Sequence, residues 1–287
     1  SEMNGKKIFT VARLLQNGLL DQTFGKNGIS QTLFTNGETA SSAQAVMIDS
    51  KGKIVAAGFT NGIGNMCHAC LARYNQDGSL DKSFFGGRGV FKGTVITTFG
   101  SIEGMSQINS LAETKDQKIV AVGARYQDKA VCFVVAKYNP TGSLDASFNA
   151  KASGSVSGYV CTQFDKSTHD EAFAVTIDPY EKILVAGSSY ASGVKTFALA
   201  RYHQDGSLDN SFFGGNTKMH GTVITNFMCG ETEGSARAVC VQADGKIIVG
   251  GYTNAFSGGQ STTHFALARY SAQGVLDLSF GADNLDA

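Results

Sequence analysis

Two stretches of the chain have nearly the same sequence, LARYNQDGSLDKSFFGG at residues 71–87 and LARYHQDGSLDNSFFGG at residues 199–215. Fifteen of the seventeen letters are identical. The Asp of the L-D-x-S/T-F step recurs at five positions, which are Asp21, Asp81, Asp145, Asp209 and Asp277. The intervals between them are 60, 64, 64 and 68 residues. One structural unit is therefore written five times, with loops of varying length between its copies.

Each full unit predicts four short strands separated by turn residues. The first strand is predicted at 43–48, 108–113, 172–177 and 236–241. The second is an apolar run typical of a strand covered on both faces, at 53–58, 118–123, 182–187 and 246–251. The third is predicted at 9–14, 69–74, 133–138, 197–202 and 265–270. The fourth ends in a Phe, at 29–34, 94–99, 159–164 and 222–227.

Four antiparallel strands every sixty or so residues indicate the blade of a β-propeller. We therefore predict an all-β chain, a β-propeller built from four-stranded antiparallel blades, with about four blades per chain and a surplus N-terminal strand. The chain is predicted to be a single domain over residues 1–287. Its repeat units are predicted at about 9–58, 69–123, 133–187 and 197–251, with a partial unit at 265–287.

The closure of such a ring has three alternatives. In the first, strands one to three of a fourth blade come from 236–270 and its outer strand comes from 29–34, which leaves 9–14 as an extra edge strand. In the second, each chain supplies half of a larger ring, as a homodimer joined through the terminal strands. In the third, further repeats lie outside this sequence. An unpaired edge strand promotes aggregation, so we expect the surplus strand to be paired.

Composition excludes some partners and leaves the compartment open. Lys plus Arg and Asp plus Glu both number 24, so the formal net charge is zero. Nucleic acid and anionic membranes normally require a basic excess, and we expect neither as a partner. Six irregularly spaced cysteines do not resemble a disulfide framework and mildly favour a reducing compartment. The absence of an N-terminal signal pattern predicts a cytoplasmic protein or a secreted one whose signal has been removed.

The repeated residues are L-A-R-Y-x-x-D-G-S-L-D-x-S-F, then A-x-A-V, then D-G-K-I-V-x-G. In this pattern the chain resembles the delta-60 repeat family, a bacterial group of β-propeller repeats, over nearly its whole length. The resemblance implies the fold and implies no reaction, because the family has no assigned activity.

Residues that recur in every unit are predicted to be scaffold. Asp81 and Ser83 are expected to accept backbone N–H groups in a turn. Phe84 is expected to fill the gap between blades, and Arg73 is expected to pair with Asp81. The same roles are expected for their counterparts in the other units, except that Lys137 stands where the Arg would be in one of them.

The loops that do not repeat are the candidate binding surface, because variable loops on a rigid scaffold commonly bind ligands. Those joining strands two to three and strands four to one are predicted to lie on the same face. Four residues past the Phe of strand four stand Glu38, Glu103, Thr168 and Glu231. In the third unit the same loop also holds His169, Asp170 and Glu171. Converging carboxylates would bind a divalent cation at the ring axis or a cationic ligand. Solvated or turn-capping loop residues are the alternative.

A second candidate metal site begins at the C-H-A-C run. Cys67 and Cys70 have zinc or redox spacing, with Cys70 expected to point into the core. Zinc requires further ligands, and the candidates on the same predicted face give the set Cys67, His68, Cys229 and His264.

Three functions are compatible with these features. The first is a non-catalytic binding or interaction β-propeller that presents its variable loops to a protein, glycan or small ligand. The second is a metal-assisted hydrolase or lyase with Glu38, Glu103, Glu231 and His169 near the axis. The third is a structural repeat segment of a larger bacterial surface protein. No P-loop, nucleophile elbow, H-E-x-x-H or dinucleotide fingerprint indicates a specific reaction.

Overall fold

A computed structural model of the chain describes residues 2–3, 6–64, 66–88, 90–100, 103–127, 130–150, 157–164, 169–190, 193–214, 220–227, 231–257 and 260–281. The regular structure in this part of the chain is entirely β, so the all-β prediction is confirmed. No helix in these ranges could span a membrane.

Strands β1–β9 belong to the first third of the chain. Two short pairs come first, β1 (Glu2–Met3) with β2 (Lys6–Lys7) and β3 (Phe9–Ala12) with β4 (Ile29–Thr32). The next sheet has the order β5-β6-β7-β9-β8 and contains β5 (Ser41–Ile48), β6 (Ile54–Ile63), β7 (Met66–Tyr74), β8 (Gly86–Gly87) and β9 (Thr94–Thr97).

Three further sheets follow in chain order, and in each the strands pair in sequence order. One contains β10 (Met105–Glu113), β11 (Ile119–Gln127), β12 (Ala130–Tyr138) and β13 (Tyr159–Thr162). The next contains β14 (Asp170–Ile177), β15 (Ile183–Ser189), β16 (Thr196–Tyr202) and β17 (Thr222–Thr225). The last contains β18 (Glu231–Val241), β19 (Ile247–Ser257) and β20 (Gln260–Tyr270).

The chain divides into two compact units. Unit 1 comprises Ser1–Lys129 and Val134–Val160, and unit 2 comprises Ala130–Phe133 and Cys161–Ala287. The three complete repeats predicted between 43 and 227 each form a sheet with four antiparallel strands, and the first also gains the short parallel strand β8. The prediction of four-stranded antiparallel sheets is confirmed. The number of blades and the single domain stay predictions.

The N-terminal strands are paired differently from the first closure alternative. β4 pairs with β3, and no fourth strand pairs with β20 within the described ranges. The surplus strand is therefore half of a two-stranded sheet, and residues 29–34 do not complete the sheet of β18–β20. The physical reason is that β3 is itself a copy of strand three, so β4 finds its ordinary neighbour within its own repeat.

Strand one of each larger sheet contains a bulge opposite a glycine of strand two. In β18 and β19 the register shifts between Ala236 and Ala238, where Gly251 is the partner of Ala236. The equivalent glycines are Gly58, Gly123 and Gly187. A Cβ at any of these positions would collide with a carbonyl oxygen of strand one, so glycine is required by a close backbone approach.

The recurring turn is a buried polar network. Arg73 Nε lies 3.1 Å from Asp81 Oδ2, while the Ser83 amide and hydroxyl donate to Asp81 Oδ1 at 3.1 and 2.7 Å. The Arg73 guanidinium also lies over the ring of Phe84, which is fully buried. Equivalent Arg–Asp pairs join Arg13 to Asp21, Arg201 to Asp209 and Arg269 to Asp277. The scaffold interpretation of the opening phrase agrees with these contacts.

A tyrosine–threonine hydrogen bond recurs between consecutive sheets of the same unit. Within unit 2, the Tyr202 hydroxyl donates to Thr162 and the Tyr270 hydroxyl donates to Thr225, both at 2.8 Å. Within unit 1, Tyr74 is bonded to Thr32 and Tyr138 to Thr97. Burial raises the pKa of Tyr270 to about 12, so this phenol stays neutral and keeps its proton for the bond.

Candidate functional site

Glu38 lies buried in the loop between β4 and β5 of unit 1, and we call it a clamp because its carboxylate holds that loop by hydrogen bonds. Its side chain is 2% exposed, and its two carboxylate oxygens accept four hydrogen bonds from the surrounding loop and strand. The donors are the amides of Phe34 and Thr35, at 2.6 and 3.2 Å, and the hydroxyls of Ser41 and Thr60, at 2.7 and 3.1 Å. Because its oxygens already accept four hydrogen bonds from the protein, the Glu38 carboxylate holds the loop in place and is not available to bind a ligand.

Asp170 has a related position in unit 2. Its side chain is fully buried, and its Oδ2 accepts the amide of Phe164 at 3.0 Å. Phe164 is the Phe that follows strand four in its repeat, as Phe34 is in the first. Two carboxylates at different positions after strand four, one in the loop and one at the start of β14, therefore accept equivalent backbone amides.

The other predicted site residues do not share one environment. Glu103 is exposed in unit 1, although its sequence position matches that of buried Glu38. In unit 2, His169 and Glu171 are partly buried, and the His169 ring lies edge-on to Tyr190 with a centroid distance of 6.4 Å. Glu231 begins β18, where its backbone pairs with Ala255, and its side chain lies outside the described part, as does Thr168. The convergence of the carboxylates stays a prediction.

The contrast between Glu38 and Glu103 gives a stability prediction. We expect Glu38→Ala to lower the free energy of unfolding by about 2 kcal/mol, because it leaves buried amide and hydroxyl donors without an acceptor. Glu103→Ala is the matched control, and because its side chain is exposed we expect a change within about 0.5 kcal/mol. Urea denaturation followed by circular dichroism measures both. Equal losses of unfolding free energy in the two variants would contradict the conclusion that the Glu38 hydrogen bonds hold the loop.

The candidate zinc ligands are only partly described. Cys67, which the sequence predicts to lie in a variable loop, lies in β7 and is partly buried, while His68 and Cys70 are fully buried. Burial raises the pKa of both thiols and lowers the pKa of His68, so neutral forms are favoured. His264 is exposed in β20, and Cys229 lies outside the described residues. Within the described ranges no three His, Cys, Asp or Glu side chains form a group that could hold a metal ion.

The remaining cysteines divide between core and surface. The five cysteines that the structure describes are free thiols. Cys132, Cys161 and Cys240 stand at strand positions where other repeats have apolar residues or Thr, and this pattern predicts core thiols. Cys132 is buried and Cys161 is partly buried. Cys240 is exposed, so its assignment to the core is wrong; the face of β18–β20 on which it lies is uncovered.

Sequence reasoning missed a polar cluster at the loop ends of unit 2, and its central residue is Glu233. Glu233 Oε1 lies 3.3 Å from Lys195 Nζ and accepts the Tyr252 hydroxyl at 3.2 Å. Its Oε2 accepts the side-chain amide of Asn254 at 3.3 Å. The Thr263 hydroxyl donates to Asn254 Oδ1 at 2.8 Å. We name Glu233, Lys195, Tyr252, Asn254 and Thr263 the Glu233 cluster.

The cluster is assembled by three adjacent strands. Glu233 lies in β18, Tyr252 and Asn254 lie in β19, and Thr263 lies in β20, so the backbone fixes their spacing. The Glu233 side chain is 36% exposed and that of Lys195 is 16% exposed. Hydrogen bonds of 3.2–3.3 Å are at the long end of the usual range, so solvent or a ligand can compete for these groups. The signal missed in the sequence was the second Glu of GETEGS, two residues after Glu231.

A family model described as a domain of unknown function (DUF5122) β-propeller matches residues 52–84, 114–148, 182–212 and 242–280. No curated protein matches the chain. A gluconolactonase from Xanthomonas campestris is similar at 10% identity and a TM-score of 0.38, over 95% of this chain and 75% of that one. A Trypanosoma rangeli sialidase in complex with sialic acid is similar at 11% identity and a TM-score of 0.46. That match covers 95% of this chain, which spans 40% of the sialidase.

A hypothetical protein from Leishmania major gives a TM-score of 0.42 at 12% identity, over 85% of this chain and 68% of that one. The four matched segments contain the turns and second strands of successive repeats, in agreement with the sheets described above. The delta-60 name stays a prediction. The chain thus contains repeated all-β units, four segments of which match a β-propeller family of unknown function.

Proposed function

We propose that this chain is a non-catalytic binding propeller that presents its variable loops to a protein, glycan or small ligand. The Glu233 cluster supports the proposal, because it places a carboxylate, an amide, a phenol and a hydroxyl side by side at partly exposed loop ends. A few fixed polar groups of this kind give a binding site its orientation and specificity.

The cluster favours a neutral, hydroxyl-rich ligand among these three classes. The Glu233 carboxylate faces the Lys195 ammonium, so the pair supplies no net charge to attract an ion. Carboxylate and amide oxygens accept hydrogen bonds, and the Asn and Lys nitrogens donate them, which matches sugar hydroxyls that do both. We therefore favour a glycan as the ligand.

The enzymatic alternative, a metal-assisted hydrolase or lyase with a divalent cation at the ring axis, rests on the carboxylates at Glu38, Glu103 and Glu231. Glu38 gives it little support, because four protein donors already occupy its oxygens. The structural-segment alternative has no specific observation in its favour.

An array of neutral glycans, probed with the purified full chain, tests the proposal. We expect binding to a subset of glycans and a loss of more than about tenfold in Glu233→Ala, since a central polar contact is removed. Asp244→Ala is the matched control, because Asp244 is an exposed acid in the turn between β18 and β19, at the opposite end of these strands.

Two results would overturn the proposal. One is the absence of glycan binding by the unaltered chain, and the other is equal binding by Glu233→Ala and Asp244→Ala. Elemental analysis of the same preparations distinguishes the enzymatic alternative. A stoichiometric divalent metal that is lost in Glu103→Ala would favour it.

A further inference from the structure

The hexapeptide FALARY occurs twice in unit 2, at 197–202 and at 265–270, and its two copies have different surroundings. Phe197 and Leu199 are fully buried in β16. Phe265 and Leu267, at the same places in β20, are 80% and 45% exposed. The same side chains in corresponding strands are therefore buried in β16, which packs against the next sheet and pairs with β17, and exposed in β20.

The cover of the first copy is the sheet β18–β20 itself. Phe197, Leu199 and Leu184 belong to one apolar cluster with residues of that sheet. The covering residues include Ala236, Val249, Ala266, Ala268 and Tyr270. Phe197 also packs edge-on against Phe227 and lies over the bulge glycine Gly251. This is an interdigitated apolar contact between one sheet and the next.

The opposite side of β18–β20 has the same apolar character and no cover among the described residues. We name it the open face. It consists of residues that alternate with the buried ones, which are Ala238, Cys240, Ile248, Gly250, Phe265 and Leu267, and Arg237 and Tyr252 also line it. They line a groove of about 430 Å³. An exposed apolar patch beside an unpaired strand edge marks an interaction site or an aggregation hazard.

The two-stranded sheet of β3 and β4 has a surface that is complementary to the open face. β3 is a copy of strand three, and one of its sides, with Phe9, packs within unit 1. Its other side alternates with Phe9 and leads to Leu14, which is 60% exposed. Leu33, which follows β4, is 45% exposed. We name the side with Ala12, Leu14 and Leu33 the N-terminal face. By its place in the repeat it corresponds to the side of β20 that covers Phe197.

Residue 14 fits the open face in a specific way. Every later copy of strand three has Tyr at this place, and each Tyr is bonded to a Thr on strand four of the preceding sheet. The sheet β18–β20 has no fourth strand in the described residues, so it offers no such Thr. A buried phenol without a partner would be costly there, whereas the apolar Leu14 is not.

We propose that the open face is the docking surface for the N-terminal face of a second copy of this chain. The contact repeats the sheet-to-sheet packing that unit 2 already contains, with Phe265 and Leu267 in the roles of Phe197 and Leu199. It joins different surfaces of the two copies, so it is heterologous and leads either to a closed assembly or to a growing one.

Sedimentation velocity of the full chain over a wide range of concentrations, with reductant present because Cys240 is exposed, tests the proposal. We expect concentration-dependent association that Phe265→Asp and Leu14→Asp each weaken by more than about tenfold. Tyr180→Asp is the matched control, because Tyr180 is 81% exposed in unit 2 and lies in the turn between β14 and β15. It should associate like the unaltered chain. Circular dichroism confirms that each variant is folded.

A mixing experiment tests the heterologous geometry. The Phe265→Asp chain keeps its N-terminal face and the Leu14→Asp chain keeps its open face, so an equimolar mixture should form dimers and nothing larger. Either variant alone should stay monomeric. A monomeric unaltered chain, unchanged association in either variant, or a mixture that stays monomeric would each overturn the proposal.

Discussion

Gly251→Ala is expected to lower the free energy of unfolding by about 3 kcal/mol. The added methyl would collide with the Ser235 carbonyl oxygen at the bulge and would lie 2.9 Å from Phe197 Cζ. The first neighbour is backbone and the second is a fully buried ring, so neither can move without disturbing the packing between the sheets.

Gly250→Ala, one residue earlier in the same strand, is the matched control. A Cβ there meets only Leu267 Cδ2, at 3.2 Å, and Leu267 is a half-exposed side chain that can rotate away. Because alanine has less freedom in the unfolded chain, we expect anything from no change to a gain of about 1 kcal/mol. Urea denaturation of both variants gives the comparison. A Gly250→Ala loss as large as that of Gly251→Ala would contradict the close approach at the bulge.

Asp209→Ala is the second large expected effect, a loss of about 3 kcal/mol. Asp209 Oδ2 lies 3.0 Å from Arg201 Nε and 3.5 Å from Lys182 Nζ, and the Asp209 side chain is 5% exposed. Its removal leaves two cations beside each other without a counter-charge, and it also removes the acceptor of the Ser211 amide and hydroxyl. Asp205→Ala, in the exposed part of the same turn, is the control, for which we expect a loss of about 1 kcal/mol or less.

The Asp209 carboxylate also predicts how the free energy of unfolding depends on pH in the acid range. Burial opposes ionisation of Asp209, but the Ser211 hydrogen bonds and the charges of Arg201 and Lys182 outweigh it and lower its pKa to about 2. A carboxyl with a lowered pKa in the folded chain stabilises above its ordinary value of 3.8, and this contribution is lost as the pH falls toward 2. The stability difference between the unaltered chain and Asp209→Ala should therefore shrink between these two pH values. A difference that stays constant there would contradict the ion pair.

The repeat made the sheets predictable. Alternation and spacing placed strands two and three close to their observed positions, and the recurrence of Arg73 with Asp81 predicted the turn network. Such features depend on neighbours at fixed sequence distance, which a period of about 60 residues displays directly.

The loops were less predictable. Glu38 and Glu103 are equivalent in sequence, yet one is buried and the other exposed, because burial depends on whether Ser41 and Thr60 approach the carboxylate in three dimensions. Glu233 was overlooked for the same reason, since its partners lie far from it in sequence, in β19 and just before β16. The sequence left the pairing of residues 29–34 open among three closures, because all of them satisfy the same local pattern, and the pairing of β4 with β3 contradicts only the first.

The carboxylate clamps at Glu38 and Asp170 have a practical consequence. One acid stands four residues after its Phe and the other stands six residues after, yet both hold the amide that ends strand four. The position of the carboxylate can therefore vary, because Glu38 lies within its loop and Asp170 begins the next strand, β14, yet both accept the amide of the Phe that follows strand four. A foreign peptide grafted between Phe164 and Asp170 would keep its anchor at both ends, which makes this segment a natural insertion point for engineering.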